Sequence, residues 1–260
     1  MKKVDTKVVV LMVLVAAAWT FAGFTVSKCI ETSSVSPFID YFLTPIITLF
    51  AAFGGSWYAF KLQDAKAKKD SDERDVKAAN NAIFELTKWH KKFHAFRKQF
   101  IVEHIDNAWR HILILPVTGM ASDHPKFDYD SLAFIFKSKN PNLLGTLNLT
   151  ELEISSTIDV ILQRSKMHAE ILQPAVEEVE KRFEGPFSPA EVENQIGARH
   201  SQVLKMLTDY IVSGVTDSLS AIRKHIDLIQ SETKKIYPEH VVIGMIDPPS
   251  VAAENVKNVK

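Results

Sequence analysis

The chain has 260 residues, with 31 Lys and Arg balancing 31 Asp and Glu, and it is 46% hydrophobic, 24% charged and 10% aromatic. That composition excludes a disordered polyelectrolyte, a collagen-like chain and a disulfide scaffold. A single cysteine excludes an internal disulfide and any CxxC metal or redox site, and 9 glycines leave little material for a Gly-rich phosphate-binding fold.

The charge is divided unevenly along the chain. Residues 8–60 carry almost none and residues 61–260 carry nearly all of it. Residues 8–26 (VVVLMVLVAAAWTFAGFTV) form an uncharged run of 19, which as a helix at ~1.5 Å per residue matches about one hydrocarbon core. Residues 41–60 (YFLTPIITLFAAFGGSWYAF) form a second run, bounded by Asp40 and Lys61. Both predict transmembrane helices. Pro45 falls near the start of the second, where proline costs least, and Tyr41, Phe42, Trp57 and Tyr58 stand where aromatic belts form. A cleaved signal peptide is the competing interpretation of the first run, given Lys2 and Lys3. Its apolar stretch exceeds the about 7–15 residues of a signal core, however, and Val26-Ser27-Lys28 before Cys29 is a poor lipobox.

Lys2, Lys3 and Lys7 precede the first run, Lys61, Lys66, Lys68 and Lys69 follow the second, and the intervening loop holds only Lys28. The positive-inside rule then places both flanks, and with them both termini, in the cytoplasm and the loop outside. Ala51, Gly55 and Ala59 make a small-residue stripe on the second helix that permits close helix packing, and Ala18 and Ala22 make a shorter one on the first. Neither run has an ionisable residue at mid-depth, which argues against transport.

Residues 61–75 (KLQDAKAKKDSDERD) are charged on all sides and predict a solvated helical stalk. From Val76 apolar residues recur at 3/4 spacing: Ala79, Ile83, Leu86, Trp89, Phe93, Phe96 and Phe100, then Ile105, Ala108, Ile112 and Leu115. The pattern predicts one long amphipathic helix ended by Pro116. Residues 116–131 are expected to be a loop, residues 132–136 (LAFIF) a short helix, and Leu143, Leu144 and Leu147 another short helical piece. A long helix is predicted over about 150–183, with Thr150 and Glu153 as a capping box, Leu152, Ile158, Ile161, His168, Leu172 and Val179 among its buried residues, and Pro174 as a kink. Ser188-Pro189-Ala190-Glu191 is a sharper helix start. The helix it opens should run to about Ile236 with a seam of Ile211, Val215, Leu219, Ile222, Ile226 and Ile229, and Pro238 should stop it. A docked segment around Val241-Val242-Ile243 and a frayed tail complete the chain.

The expected fold class is therefore all-α. It comprises a transmembrane hairpin over 1–60, a stalk over 61–75, a cytoplasmic antiparallel bundle of three long helices over 76–237, and a tail over 238–260.

Chemistry-bearing patterns are sparse. His90 and His94 share one helical face and are the best metal candidates, with His104 and His111 a second pair, but no HExxH completes either and Lys91, Lys92, Arg97 and Lys98 surround them. Asp123, His124, Asp128 and Asp130 lack EF-hand spacing. Cys29 has no nearby histidine, and no nucleotide-binding or hydrolase signature occurs. The aromatics of residues 89–98 fall at core spacing with bases between them, which disfavours nucleic acid as a partner. Residues 61–115 hold 12 Lys and Arg against 8 Asp and Glu, a basic helix that suits acidic neighbours or anionic lipid. No catalytic residue and no cofactor is predicted.

The pattern Thr44-Pro45-Ile46, Gly54-Gly55-Ser56-Trp57-Tyr58-Ala59-Phe60 and later Asn140-Pro141-Asn142-Leu143-Leu144 resembles a loose group of bacterial membrane-anchored helical proteins. The resemblance implies an inner-membrane setting and no catalytic residues. The expected function is that of a non-enzymatic scaffold whose partners are the bilayer and either another protein or itself. The alternatives are a stress- or phage-defence effector coupling bundle to hairpin, and an enzyme assembled from scattered residues such as His90, His94, Glu103, Asp123 and His124.

Overall fold

The structure, a computed structural model, describes residues 37–117, 124–138, 140–182 and 186–245, with side chains from Pro45 onward. The first predicted membrane run, Cys29, Asp123 and the tail beyond Met245 lie outside the described residues. The described residues form helices joined by turns and irregular connectors, with no strand among them. The chain divides into two units, Met1–Lys68 and Lys69–Lys260.

Helix α1 spans Pro37–Phe96. In the first unit its residues 45–68 are all exposed, including Leu49, Phe50, Phe53 and Phe60. Among the described residues no helix is long and apolar enough to cross a membrane.

In the second unit α1 buries one stripe, with Val76, Ala79, Ile83, Leu86, Trp89 and Phe93 all in the core as the 3/4 spacing predicts. Trp89 is fully buried, so its indole N–H needs an acceptor, and Glu85 supplies one at 2.9 Å.

The expected continuation of this helix to Leu115 does not occur. A π-helical turn, Arg97–Ile101, widens the path by one residue. The buried position after Phe96 is therefore Ile101, five residues on, while Phe100 is only half buried. A 3-10 turn, Val102–His104, follows, and the chain then leaves helical geometry at Asn107. The Asn107 side chain accepts the Trp109 N–H at 2.8 Å, and its carbonyl accepts that of Arg110 at 3.1 Å, a local turn that competes with helix. A short helix α2, Arg110–Leu113, ends before Pro116, and Leu115 is exposed rather than buried. The LAFIF run forms a 3-10 turn, Ala133–Lys137, so the helical expectation there holds.

Helix α3, Leu143–Met167, absorbs the expected short piece at 143–147 and begins seven residues before the predicted cap. Thr150 is consequently an interior, buried residue facing His225, and no capping box forms with Glu153. The earlier start also fixes a different buried face: Leu147, Ile154, Ile158 and Ile161 are in the core, and Leu152 is 58% exposed. A second π-helical turn, His168–Leu172, precedes α4, Gln173–Arg182. Pro174 lacks the N–H that would bond the carbonyl of Glu170, and the widened turn directly before it accommodates the ring.

Helix α5, Pro189–Ile236, opens with the predicted capping box. The Ser188 N–H donates to the Glu191 carboxylate at 2.6 Å, and Pro189 has no N–H to leave unsatisfied. Its seam of Ile211, Val215, Ile222, Ile226 and Ile229 joins the α1 and α3 stripes in one core. Gly214 lets α3 approach closely, since a Cβ there would stand 2.7 Å from the Thr157 hydroxyl. A second cluster of Leu172, Ala175, Val179, Val192, Ile196, Leu204 and Ile112 seats α4 against the first turns of α5.

Helix α5 is not continuous. Gly197 has φ 78° and ψ 157°, a conformation nearly restricted to glycine, and it kinks the helix within the second cluster, between Ile196 and Leu204. Gly197 and Gly145 both have open space around a would-be Cβ, so only backbone preference separates them. Gly197→Ala should destabilise the fold by about 1–3 kcal/mol, whereas Gly145→Ala, at an exposed site inside α3, should stabilise it by about 0.4–1 kcal/mol. Urea unfolding of the two variants beside the parent reads the opposite signs.

Candidate functional site

The residues singled out from sequence are dispersed. His90 is buried and His94 exposed, and their rings stack with centroids 6.3 Å apart. Lys92 sits 4.0 Å above the Trp89 ring, so part of the basic surroundings is held by the aromatic stripe itself. Among the described residues no three His, Cys, Asp or Glu side chains are placed to hold a metal ion. Ala51, Gly55 and Ala59 are all exposed, and nothing lies within 4 Å of a Cβ built at Gly55. His124 Nε2 lies 3.7 Å from Asp159 on α3. Asp128 is occupied locally: its carboxylate accepts the Ser131 N–H at 3.1 Å and hydroxyl at 2.6 Å, bonds that hold it below the usual carboxylate range.

The densest polar arrangement lies where α2, α3 and α5 meet, and its centre, Arg164, was not singled out. Arg164 is 2% exposed. Its Nε donates to the Thr208 hydroxyl at 2.9 Å, and one terminal nitrogen donates to the carbonyls of His111 at 3.2 Å and Ile114 at 2.5 Å. Those carbonyls belong to the last turn of α2 and its C-cap, which have no partner within the helix. Burial alone lowers the guanidinium pKa to about 10, so Arg164 stays charged at neutral pH. Next to it on α3, the Ser165 hydroxyl accepts the Val117 N–H at 3.1 Å. Arg164 thus pins the connector from α1 against the two longer helices. The sequence signal was present: Arg164 falls at 3/4 spacing between Ile161 and His168, in line with the buried face of α3.

Beside this clamp, His111 is buried, with Nε2 3.6 Å from Glu193 and 3.5 Å from the Ser201 hydroxyl. Ser201 donates its own proton to Glu193. The three residue types are those of a nucleophilic triad, but the geometry is not. A relay needs the serine on one ring nitrogen and the acid on the other. Here both face Nε2, and Nδ1 has no hydrogen-bond partner among the described residues. Burial lowers the His111 pKa, Glu193 opposing it. On the outer side Arg110 bonds Asp209 at 2.8 Å and the Ile105 carbonyl at 2.7 Å, bordering an open pocket of about 400 Å³. The arrangement positions backbone and holds protons on fixed atoms, and no nucleophile in it has an aligned base.

Comparison with protein-family models, with curated proteins and with solved structures gives no match to this chain.

Arg164→Met should cost about 2–4 kcal/mol by orphaning the His111 and Ile114 carbonyls, and Arg164→Lys should recover little of it, because an ammonium lacks the guanidinium's planar spread. Denaturant titration measures both.

A second expectation concerns pH. Burial, then the Arg164 charge, push His168 from its ordinary 6.5 down to about 4. Between those values the unfolded chain binds the proton and the folded chain does not, so stability rises with pH across this window and is lost on acidification from 6.5 toward 4. Unfolding titrations at stepped pH should show that decline, and His168→Leu should flatten it, with the part due to His111 and His225 remaining because burial lowers both.

Proposed function

We propose that this chain is a membrane-anchored helical interaction protein without catalytic activity. Residues 1–60 would form a two-helix transmembrane hairpin, and an antiparallel bundle of three long helices would face the cytoplasm. The observation that carries the reading is the state of residues 45–60. All sixteen are uncharged and exposed, so apolar surface faces outward on every side of α1. Water does not support such a surface on an isolated helix, whereas lipid does. Residues 61–70, charged and equally exposed, fit the solvated segment beyond a bilayer. The small residues Ala51, Gly55 and Ala59 would then meet the helix formed by residues 8–26.

A second reading, an effector or sensor that passes a change in the bundle to the membrane, is favoured by α1, one helix that carries both the uncharged run and the core residues from Val76 to Phe93.

The full chain expressed in a bacterium should sediment with membranes after carbonate washing and enter the supernatant only with detergent. A membrane-impermeant maleimide should label Cys29 from outside the inner membrane. Recovery in the soluble fraction, or labelling of Cys29 only after lysis, overturns the anchored reading or its orientation. Crosslinking in intact membranes should trap a homo-oligomer or a discrete partner. Dye leakage on induction would favour the effector reading over the scaffold.

A further inference from the structure

The second unit has a cleft of about 360 Å³ between α1 and the stretch leading into the LAFIF turn, within the size range of small-molecule sites. Its floor is apolar and is made by size differences. Ala78 and Ala82, one turn apart on α1, leave the space, and Phe127 and Leu132 wall it. Its rim is cationic: Arg74 and Lys77 from α1 stand on one side and Lys126 on the other.

Among the described residues Arg74 engages only through its Nε, which donates to the Asp70 carbonyl at 3.2 Å. Lys77 and Lys126 form no ion pair among the described residues, unlike Lys88, Lys137 and Lys235, which are paired with carboxylates. The one carboxylate in the lining, Asp128, is already bound by the Ser131 amide and hydroxyl. Three cations against one carboxylate leave two positive charges over an apolar floor, with the Asn81 amide as a further hydrogen-bonding group.

We propose that this cleft binds a phosphate monoester carried on an apolar body. The dianion matches the two uncompensated charges, where a carboxylate would leave one in excess. Arg and Lys supply donors to its three terminal oxygens, and the alanine-lined floor takes the apolar part. The same chemistry is presented by a soluble aromatic phosphate ester and by the headgroup of phosphatidic acid.

The test uses the full chain in a non-ionic detergent, titrated with phenyl phosphate in one arm, and the same chain reconstituted beside vesicles of phosphatidylcholine with or without phosphatidic acid in the other. Binding in either arm that falls about tenfold or more in Lys77→Glu/Lys126→Glu, and also in Ala78→Leu, supports the site. The arm that responds identifies a soluble or a lipid source. Binding should weaken below about pH 6, where the monoester loses its second charge. Lys91→Glu/Lys98→Glu, outside the cleft, should bind as the parent does. No saturable binding in either arm, or equal loss in the two charge-reversal variants, overturns the proposal. All exchanged rim positions are exposed, and a circular dichroism spectrum matching the parent confirms that the variants remain folded.

Discussion

A guanidinium leaves water only where oxygens replace the water it gives up, and Arg164 sets that condition at the junction of three helices. The Thr208 hydroxyl and two carbonyls at the end of α2 meet it. The requirement works in both directions. The α2 carbonyls have no intrahelical partner and would otherwise need solvent, and the connector over 105–117 buries Ile112 and Ile114 but has no regular hydrogen-bonded frame beyond the four residues of α2. Arg164 gives it a fixed path. His168, four residues on in the π-helical turn that follows α3, is held below its ordinary pKa by burial and then by that charge, so near neutral pH it adds no second charge beside Arg164. Burial of His168 first, and the Arg164 charge second, make the junction sensitive to acid.

Around this junction the apolar cores do ordinary work. The α1, α3 and α5 stripes form the larger cluster, and α4 with the first turns of α5 forms the smaller. Helix α5 serves both, with Val192, Ile196 and Leu204 in the smaller cluster and Ile211 to Ile229 in the larger, and Gly197 bends it inside the smaller one at a φ other residues avoid. The π-helical turns solve a related problem. Each shifts the buried face by about one residue, once where α1 gives way to the connector at Ile101, and once before Pro174, where a regular helix would meet the proline ring.

What was legible in the sequence follows the range of the interactions involved. The Ser188 capping box acts over three residues and can be read directly, as can the α1 and α5 stripes, whose spacing is a property of one helix. Thr150 and Glu153 have the same spacing as a capping box but lie inside α3, because Leu143, Leu144 and Leu147 extend the buried face upstream and tertiary packing overrides a local signal. The break at Asn107 contains neither proline nor glycine, so the apolar pattern reads through it. Its cause is an asparagine that bonds its own backbone. Arg164, Glu193 and Ser201 acquire their meaning only when helices distant in sequence converge, and the 3/4 spacing of Arg164 from Ile161 was the one trace of that visible beforehand.

The C-terminal segment shows how the start of the α1 stripe is closed. Val76 is the first buried residue after the charged stretch, and a core beginning there needs a lid that leaves few bare backbone groups. Asn80 provides it by offering its amide as a strand would: Nδ2 donates to the Val241 carbonyl at 3.3 Å and Oδ1 accepts the Ile243 N–H at 3.0 Å. Val242, between them, turns into the core. Tyr237 donates its hydroxyl to Asp75, which also pairs with Lys137 at 3.3 Å, so α1, the LAFIF turn and the end of α5 are tied at one carboxylate. Gly244 passes so close to Gln230 that a Cβ would stand 2.6 Å from its amide nitrogen. An extended segment with few side-chain contacts is thereby fixed by its backbone, and the charged stretch before Val76 can end abruptly without exposing the core behind it.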